Sequence, residues 1–281
     1  MYWQTARHRI DLSRPKVMGI VNVTPDSFSD GGSHDGERAA LAHCERLLSQ
    51  GADILDIGGE STRPGSRMPS VDEELRRVLP VVRGAVRLGV PVSVDTSRTE
   101  VIDAVLDLGA DIVNDVRALT WPGALERVAA HPSAGVCLMH MQGEPETMQQ
   151  DPRYHDVVAE VRAGLAQRLA AVRRAGIVDA RVTLDPGYGF GKTLEHNLTL
   201  WQGQQALLDL GPPLLVGWSR KGALGQITGR PVDERLVPSV AAALASVARG
   251  ARIVRVHDVA ATVDALKIWS AARSEEHTSE L

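Results

Sequence analysis

Aromatic residues are scarce: Trp, Tyr and Phe together make up 4% of the 281 residues, so the core has to be built from Val, Leu, Ile and Ala. Cysteine is nearly absent as well, with Cys44 in a helical pattern and Cys137 in an apolar strand pattern. Buried thiols are therefore expected, not a redox or metal pair. No apolar run approaches the roughly 18 to 20 residues of a membrane span, and the opening MYWQTARHR lacks the apolar segment of a secretory signal, so a cytoplasmic protein is expected. Excess positive charge is missing too. The formal net charge is -4, which leaves no basic stripe for nucleic acid and no polybasic membrane anchor. Neither an H-x-H after the first strand nor an H-E-x-x-H occurs, which disfavours a metal hydrolase. Small-molecule chemistry remains.

What is present is organised around residues 181–193, RVTLDPGYGFGKT. A β-branched run through Val182, Thr183 and Leu184 stops at Asp185 and breaks into a proline and three glycines before Lys192. A phosphate-binding P-loop would need a glycine where Pro186 stands, and proline lacks the N–H such a loop aims at phosphate. The better reading makes Asp185 a fixed acceptor at a strand's carboxyl end. The glycines then let backbone and Phe190 approach a flat ligand.

The pattern of strand, polar end and helix recurs along the chain. KVMGIVNV closes on Asn22, ADILDIGG carries Asp56, VPVSVD ends at Asp95, ADIVND at Asn114, and GVCLMH at His140. The Asp185 strand comes sixth. PLLVGWSRKG then supplies a seventh, with a Ser219-Arg220-Lys221 end, and ARIVRVHD an eighth, with Arg255 and His257. Helical periodicity separates them: residues 37–50, a stretch capped by Ser70 with Glu73 completing a capping box, one capped by Thr96 or Ser97, and a long stripe from Tyr154 to Val172. Eight apolar strands alternating with helices over this length predict a single-domain α/β protein, a (β/α)8 TIM barrel over 14–272. An open doubly wound sheet is the runner-up, and it lacks the expected G-x-G-x-x-G. Residues 273–281 abandon the apolar periodicity and look like the translation of a sequencing adapter, so a non-native tail is expected there.

In such a barrel all carboxyl ends open on one face, so these scattered polar residues converge. Helix capping would explain the Asp and Asn ends, but Lys221 and Arg255 cannot accept the N–H bonds a helix start offers. Asp95, Asn114 and Asp185 beside Lys221 suit a neutral heterocycle with an amino group and ring N–H on one edge and a carbonyl on another, as in pterins or guanine. Arg255 and His257 lead into the last helix, where barrels commonly bind phosphate, so the ligand is expected to carry an anionic group.

VMGIVNVTPDSFSDGG (17–32) and GADILDIGGESTRP (51–64), followed in order by DPGYGFGK, SRK and RVHD, resemble the signature stretches of the dihydropteroate synthase family. The resemblance implies a folate-pathway transferase that joins a dihydropterin diphosphate to para-aminobenzoate with loss of diphosphate. It implies a pterin site of Asp95, Asn114, Met139, Asp185, Phe190, Gly217 and Lys221. Asn22 would bind Mg²⁺ and the diphosphate, which Arg255 and His257 would grip, and Phe28, Thr62, Arg63, Pro64 and Ser219 would shape the para-aminobenzoate site. Asp95, Lys221, Arg255 and His257 would form the catalytic set, and a homodimer is implied. Methyltetrahydrofolate-dependent methyltransferases and a non-catalytic pterin-binding paralogue are the alternatives. Asp56 is expected to be a scaffold hydrogen-bonder, His140 an internal one, and Lys192 to face solvent. Tyr188, Trp218 and the Gly222-Ala223 pair depart from the family pattern. Trp218 is expected to add bulk beside the ring slot, and the pair to loosen the segment behind Lys221.

Overall fold

The computed structural model describes residues 1–24, 33–63 and 65–273, of 33–35 the backbone alone. Two short strands, β1 (Tyr2–Gln4) and β2 (Arg9–Asp11), pair antiparallel. Strands and helices then alternate: β3 (Lys16–Asn22), α1 (Ser33–Ser49), β4 (Ile54–Gly58), α2 (Val71–Ala85), β5 (Val92–Asp95), α3 (Thr99–Asp107), β6 (Ile112–Asp115) and α4 (Ala124–Ala130). The second half repeats this with β7 (Gly135–Met139), α5 (Val157–Arg174), β8 (Val182–Asp185), α6 (Leu194–Gln202), β9 (Leu214–Val216), α7 (Gly222–Thr228), α8 (Leu236–Ala248), β10 (Ala251–Val256) and α9 (Val259–Ala271). The strands from β3 to β10 close in parallel, in the order β10-β3-β4-β5-β6-β7-β8-β9. The fold is the (β/α)8 barrel, not an open sheet.

Because side chains alternate across a strand, each barrel strand divides its residues between two cores. One set, including Val17, Leu55, Val94, Val136, Leu184 and Val254, packs against the helices. The other set points inward, and its lowest members, Met18, Ile54, Ile112, Cys137, Leu215 and Ile253, form a separate cluster with Trp3, Ile10 and Leu12. The hairpin β1–β2, which lies before residue 14, therefore plugs the amino-terminal end of the barrel. Trp3 is fully buried there and donates its indole N–H to Arg181 O at 2.9 Å. Two residues above Ile54, Ile112 and Ile253, the same inward face turns polar at Asp56, Asn114 and Arg255.

Local differences from the sequence reading have physical causes. Ser70 caps α2, accepting from the Glu73 N–H at 3.2 Å, while the Glu73 carboxylate turns to Arg77 one helical turn on. Thr96 and Ser97 do not cap α3, whose N-cap is Arg98 without a side-chain bond. Both hydroxyls are buried and donate instead to the carboxylates of Glu74 (2.6 Å) and Asp115. The short helix α7 after β9 was not foreseen. Both cysteines are buried free thiols, and among the described residues no helix is long and apolar enough to cross a membrane.

Candidate active site

Strand register sets the site. Asn22 pairs with Gly58, Gly58 with Asp95, and Asp95 with Asn114 across successive strands, and Met139 pairs with Asp185. Partners in a parallel ladder face the same side, so Asn22, Asp95, Asn114 and Asp185 face inward above the apolar plug.

Asp56, fully buried, holds the ring together. Its Oδ2 accepts from Asn114 Nδ2 at 3.2 Å and from Arg255 Nε at 2.6 Å, and its Oδ1 has no partner. Arg255 reaches on to Asp95 Oδ2 at 2.9 Å. Burial pushes the Asp95 carboxyl well above the carboxylate range; Arg255 opposes this, while Asp56, Glu60 and Asp115 add to it. The Arg255 guanidinium, wedged between two carboxylates, stays charged. The carbonyl oxygen of Asn114 and the second oxygen of Asp95 are left for a ligand.

The loop after β8 is shaped by close approach. Gly187 (φ 69°) passes so near the loop after β7 that a Cβ there would lie 1.8 Å from His140 O, and one on Gly191 (φ 59°) would lie 2.3 Å from Gln142 O. Only glycine fits such contacts at positive φ. Asp185 Oδ1 accepts from the Gly187 N–H at 2.7 Å, which fixes the carboxylate. Burial raises its pKa against the pull of Lys221. Lys221 Nζ donates to Tyr188 O and lies 4.6 Å from the centre of the Phe190 ring; burial lowers its pKa to about 8. At Gly217 a Cβ would sit 3.7 Å from Arg255 Cβ and 4.0 Å from Lys221 Nζ. Asp185, Lys221, Gly217 and Arg255 thus lie close together at the strand ends.

Lys192 corrects the sequence reading: it is 2% exposed, turned inward onto backbone carbonyls. His140 is its partner, with Nδ1 at 3.2 Å, and burial beside that cation lowers the imidazole pKa to about 3. Trp218 is corrected likewise. It is buried among the residues packed against the helices, stacked on Tyr188 at 4.5 Å and against Trp201 at 4.8 Å. Its bulk is directed away from the cavity, and the Tyr188 hydroxyl donates to Gln204 Oε1 at 3.1 Å. Gly222 opens α7 with nothing within 4 Å of its Cβ position.

At the rim, Ser219 Oγ accepts from the His257 N–H at 3.1 Å and lies 3.0 Å from His257 Nδ1. Burial, with Arg255 and Arg220 nearby, holds the His257 imidazole neutral, its pKa lowered to about 3. Asn22 is half-buried at the end of β3, Thr62 half-buried and Arg63 exposed. Arg63 is near enough to influence His257. Phe28 and Pro64 lie outside the described residues. Sequence reasoning missed the charged shell behind the ring: Arg117 between Glu60 (3.3 Å) and Glu144 (2.8 Å), and Arg98 beside Glu74 at 3.5 Å. Charged residues in loops carry no periodic signal, so nothing local announces such pairing. Among the described residues no group of three or more His, Cys, Asp or Glu is placed to hold a metal ion.

A ring of buried acceptors with Arg255 and Lys221 at the carboxyl ends of a (β/α)8 barrel is the setting of an enzyme site for a small molecule. A family model described as "Pterin binding enzyme" matches residues 18–257. The chain is 55% identical over 273 residues, 96% of each chain, to the dihydropteroate synthase of Neisseria meningitidis serogroup C. Among solved structures, Xanthomonas albilineans dihydropteroate synthase with 4-aminobenzoic acid superposes with a TM-score of 0.92 at 50% identity, covering 98% of this chain and 99% of that one. Burkholderia cenocepacia dihydropteroate synthase complexed with 7,8-dihydropteroate gives 0.87 at 47%, covering 97% and 96%. The chain belongs to the pterin-binding enzymes and, within them, to the dihydropteroate synthase family.

Proposed function

We propose that this enzyme is a transferase that condenses 6-hydroxymethyl-7,8-dihydropterin diphosphate with para-aminobenzoate, giving 7,8-dihydropteroate and diphosphate. The observation that carries the reading is the mixed ring at the strand ends, where the acceptors Asp95, Asn114 and Asp185 stand beside the cations Arg255 and Lys221 and next to the His257–Ser219 pair. The free oxygen of Asp185 takes the amino and ring N–H edge of the pterin. Those donors offset the desolvation that makes a buried carboxylate reluctant to ionise. Lys221 donates to the ring carbonyl, Asn114 accepts from the ring, and Met139, Phe190 and Gly217 line the slot.

Bond formation needs charge balance more than acid–base catalysis. The diphosphate leaves the 6-methylene carbon as that carbon becomes electron-poor, and Asp95, drawn toward its ionised form by Arg255 against its burial, stabilises the developing positive charge. Arg255 has a terminal nitrogen beyond those bonded to Asp56 and Asp95 with which to meet the leaving group. His257, being neutral, contributes a hydrogen bond and no charge. The aryl amine is already a neutral nucleophile, so positioning by Thr62, Arg63, Ser219, Phe28 and Pro64 suffices. Mg²⁺ fits the donor set through the Asn22 side-chain oxygen. This cation commonly takes one or two protein oxygens and fills its sphere with substrate phosphates and water. When bound, it would neutralise part of the diphosphate charge.

Two copies of the chain pairing as a homodimer in the cytoplasm complete the reading. Exposed Ile227, Val232, Leu236 and Val237, on the segment from α7 to the start of α8, support an apolar contact there. The test of function is a coupled diphosphate-release assay with both substrates, on the wild type and on Asp185→Ala, repeated with a sulfonamide as competitor for the aryl amine. Turnover by the wild type and lost pterin affinity in the variant are expected. Pterin-induced thermal stabilisation without diphosphate release would instead mark a binding protein.

A further inference from the structure

The Gly187–Thr193 turn has a donor on every carbonyl. Tyr188 O accepts from Lys221 Nζ, Gly189 O from Gln149 Nε2 at 2.8 Å, and Gly191 O from the Tyr154 hydroxyl at 3.0 Å. Lys192 O and Thr193 O accept from Asn197 Nδ2 at 3.2 and 2.7 Å. The remaining two, Gly187 O and Phe190 O, accept from Lys192 Nζ at 2.9 and 3.0 Å, and the same ammonium lies 3.4 Å from His140 O and 3.2 Å from His140 Nδ1. Four acceptors from the loops after β7 and β8 therefore surround a single buried amine, whose protonated form they and Asp185 favour while burial lowers its pKa to about 7.

Burying an ammonium is costly unless every N–H is paired. A chain that needed only volume here could use methionine. What methionine cannot do is hold two carbonyls of a positive-φ turn that point at one spot, one before and one after Tyr188 and Gly189. Those two residues present the carbonyl that Lys221 bonds and the backbone that leads into Phe190.

We propose that Lys192 is a positioning residue of this site: its ammonium fills the place of a bound cation inside the turn and fixes the geometry in which Tyr188 O and Phe190 orient Lys221 and the flat ring. The inference rests on the pterin reading of the pocket given above. Lys192 itself touches no substrate. It acts through the turn, so its loss bears on the ring and leaves the aryl amine site alone.

The experiment compares wild type, Lys192→Met and Lys192→Ala in two readouts. In the diphosphate-release assay, Lys192→Met raises KM for the dihydropterin diphosphate by about tenfold while KM for para-aminobenzoate stays within about twofold. In ligand-free protein, hydrogen exchange at residues 187–191 accelerates in Lys192→Met. Propylammonium chloride, compared with sodium chloride at equal ionic strength, partly restores both in Lys192→Ala by refilling the cage. If Lys192→Met does not fold, Lys192→Ala with and without propylammonium decides. Unchanged KM and exchange in a folded variant would overturn the proposal. So would an equal loss for both substrates with a lowered Tm that propylammonium does not repair, because that pattern marks a merely structural lysine. A wild type without turnover would sink the functional reading instead, and exchange at residues 187–191 would still judge Lys192.

Discussion

Arg255 donates from Nε to Asp56 Oδ2 at 2.6 Å, joining side chains 199 positions apart, and from a terminal nitrogen to Asp95 Oδ2 at 2.9 Å. One guanidinium thus offsets two buried carboxylates. Arg255→Met leaves both without their cation and is expected to cost about 3 to 5 kcal/mol at neutral pH, the usual range when one partner of a buried pair is removed. Urea unfolding measures it. The sign of the pH dependence follows from burial, which already raises the Asp95 pKa. With Arg255 in place the folded state already holds the Asp95 proton below about pH 8, and without it to a higher pH, so the deficit is widest above about pH 8 and shrinks as pH falls through that value. A deficit that grows toward pH 5 would contradict the pairing.

Lys221 titrates within reach of experiment. Burial lowers its pKa from 10.5 to about 8, with Asp185 pulling the other way. Between those values the unfolded chain binds the proton and the folded one does not, so this group makes stability rise with pH across the window. Its function runs opposite: above about pH 8 the charged donor to the pterin carbonyl is lost, and KM for the pterin substrate increases. Lys221→Arg, which keeps its charge, flattens that limb of a KM–pH profile even where it lowers activity overall.

Two glycines that follow the neighbouring strands β8 and β9 are expected to respond in opposite ways. Gly187→Ala forces a Cβ against His140 O at positive φ; the turn must move, with a loss of about 2 to 4 kcal/mol and of pterin affinity. Gly222→Ala meets nothing at the first position of α7 and should be neutral or stabilising by up to about 1 kcal/mol. Thermal unfolding of the pair reads both. A destabilised Gly222→Ala would revive the idea that this segment depends on a specific residue there.

Trp3 anchors the plug beneath the barrel. Trp3→Ala removes a fully buried indole and its bond to Arg181 O, costing about 3 to 5 kcal/mol. KM for either substrate stays unchanged, because the plug and the ring of Asp56, Asn114 and Arg255 occupy different layers of the barrel interior. Denaturant midpoint and steady-state kinetics on the same preparation separate the two effects.

The inward ring was legible because side-chain alternation is written along each strand: Ile54 then Asp56, Ile112 then Asn114, Ile253 then Arg255. A reader of the chain can place those polar ends on one face without knowing their partners. Lys192 was misread because a lysine in a glycine-rich loop gives no local sign of which way it turns. Its burial follows from His140 and the β7 loop folding over it. Trp218 was misplaced for a similar reason, since whether a strand-end aromatic faces the cavity or the helices depends on Tyr188 and Trp201 supplying a surface to stack on.

The sequence by itself determined the barrel, its strand order and the set of polar residues at the strand ends, because hydrophobic periodicity and chain punctuation act over a few residues and need no distant partner. Tertiary structure alone decided that Arg255 is shared by Asp56 and Asp95, that Lys192 caps carbonyls instead of meeting water, and that an amino-terminal hairpin seals the base. Each of these is a choice of partner between segments far apart in sequence, made only when closure of the barrel brings them within hydrogen-bonding or packing distance.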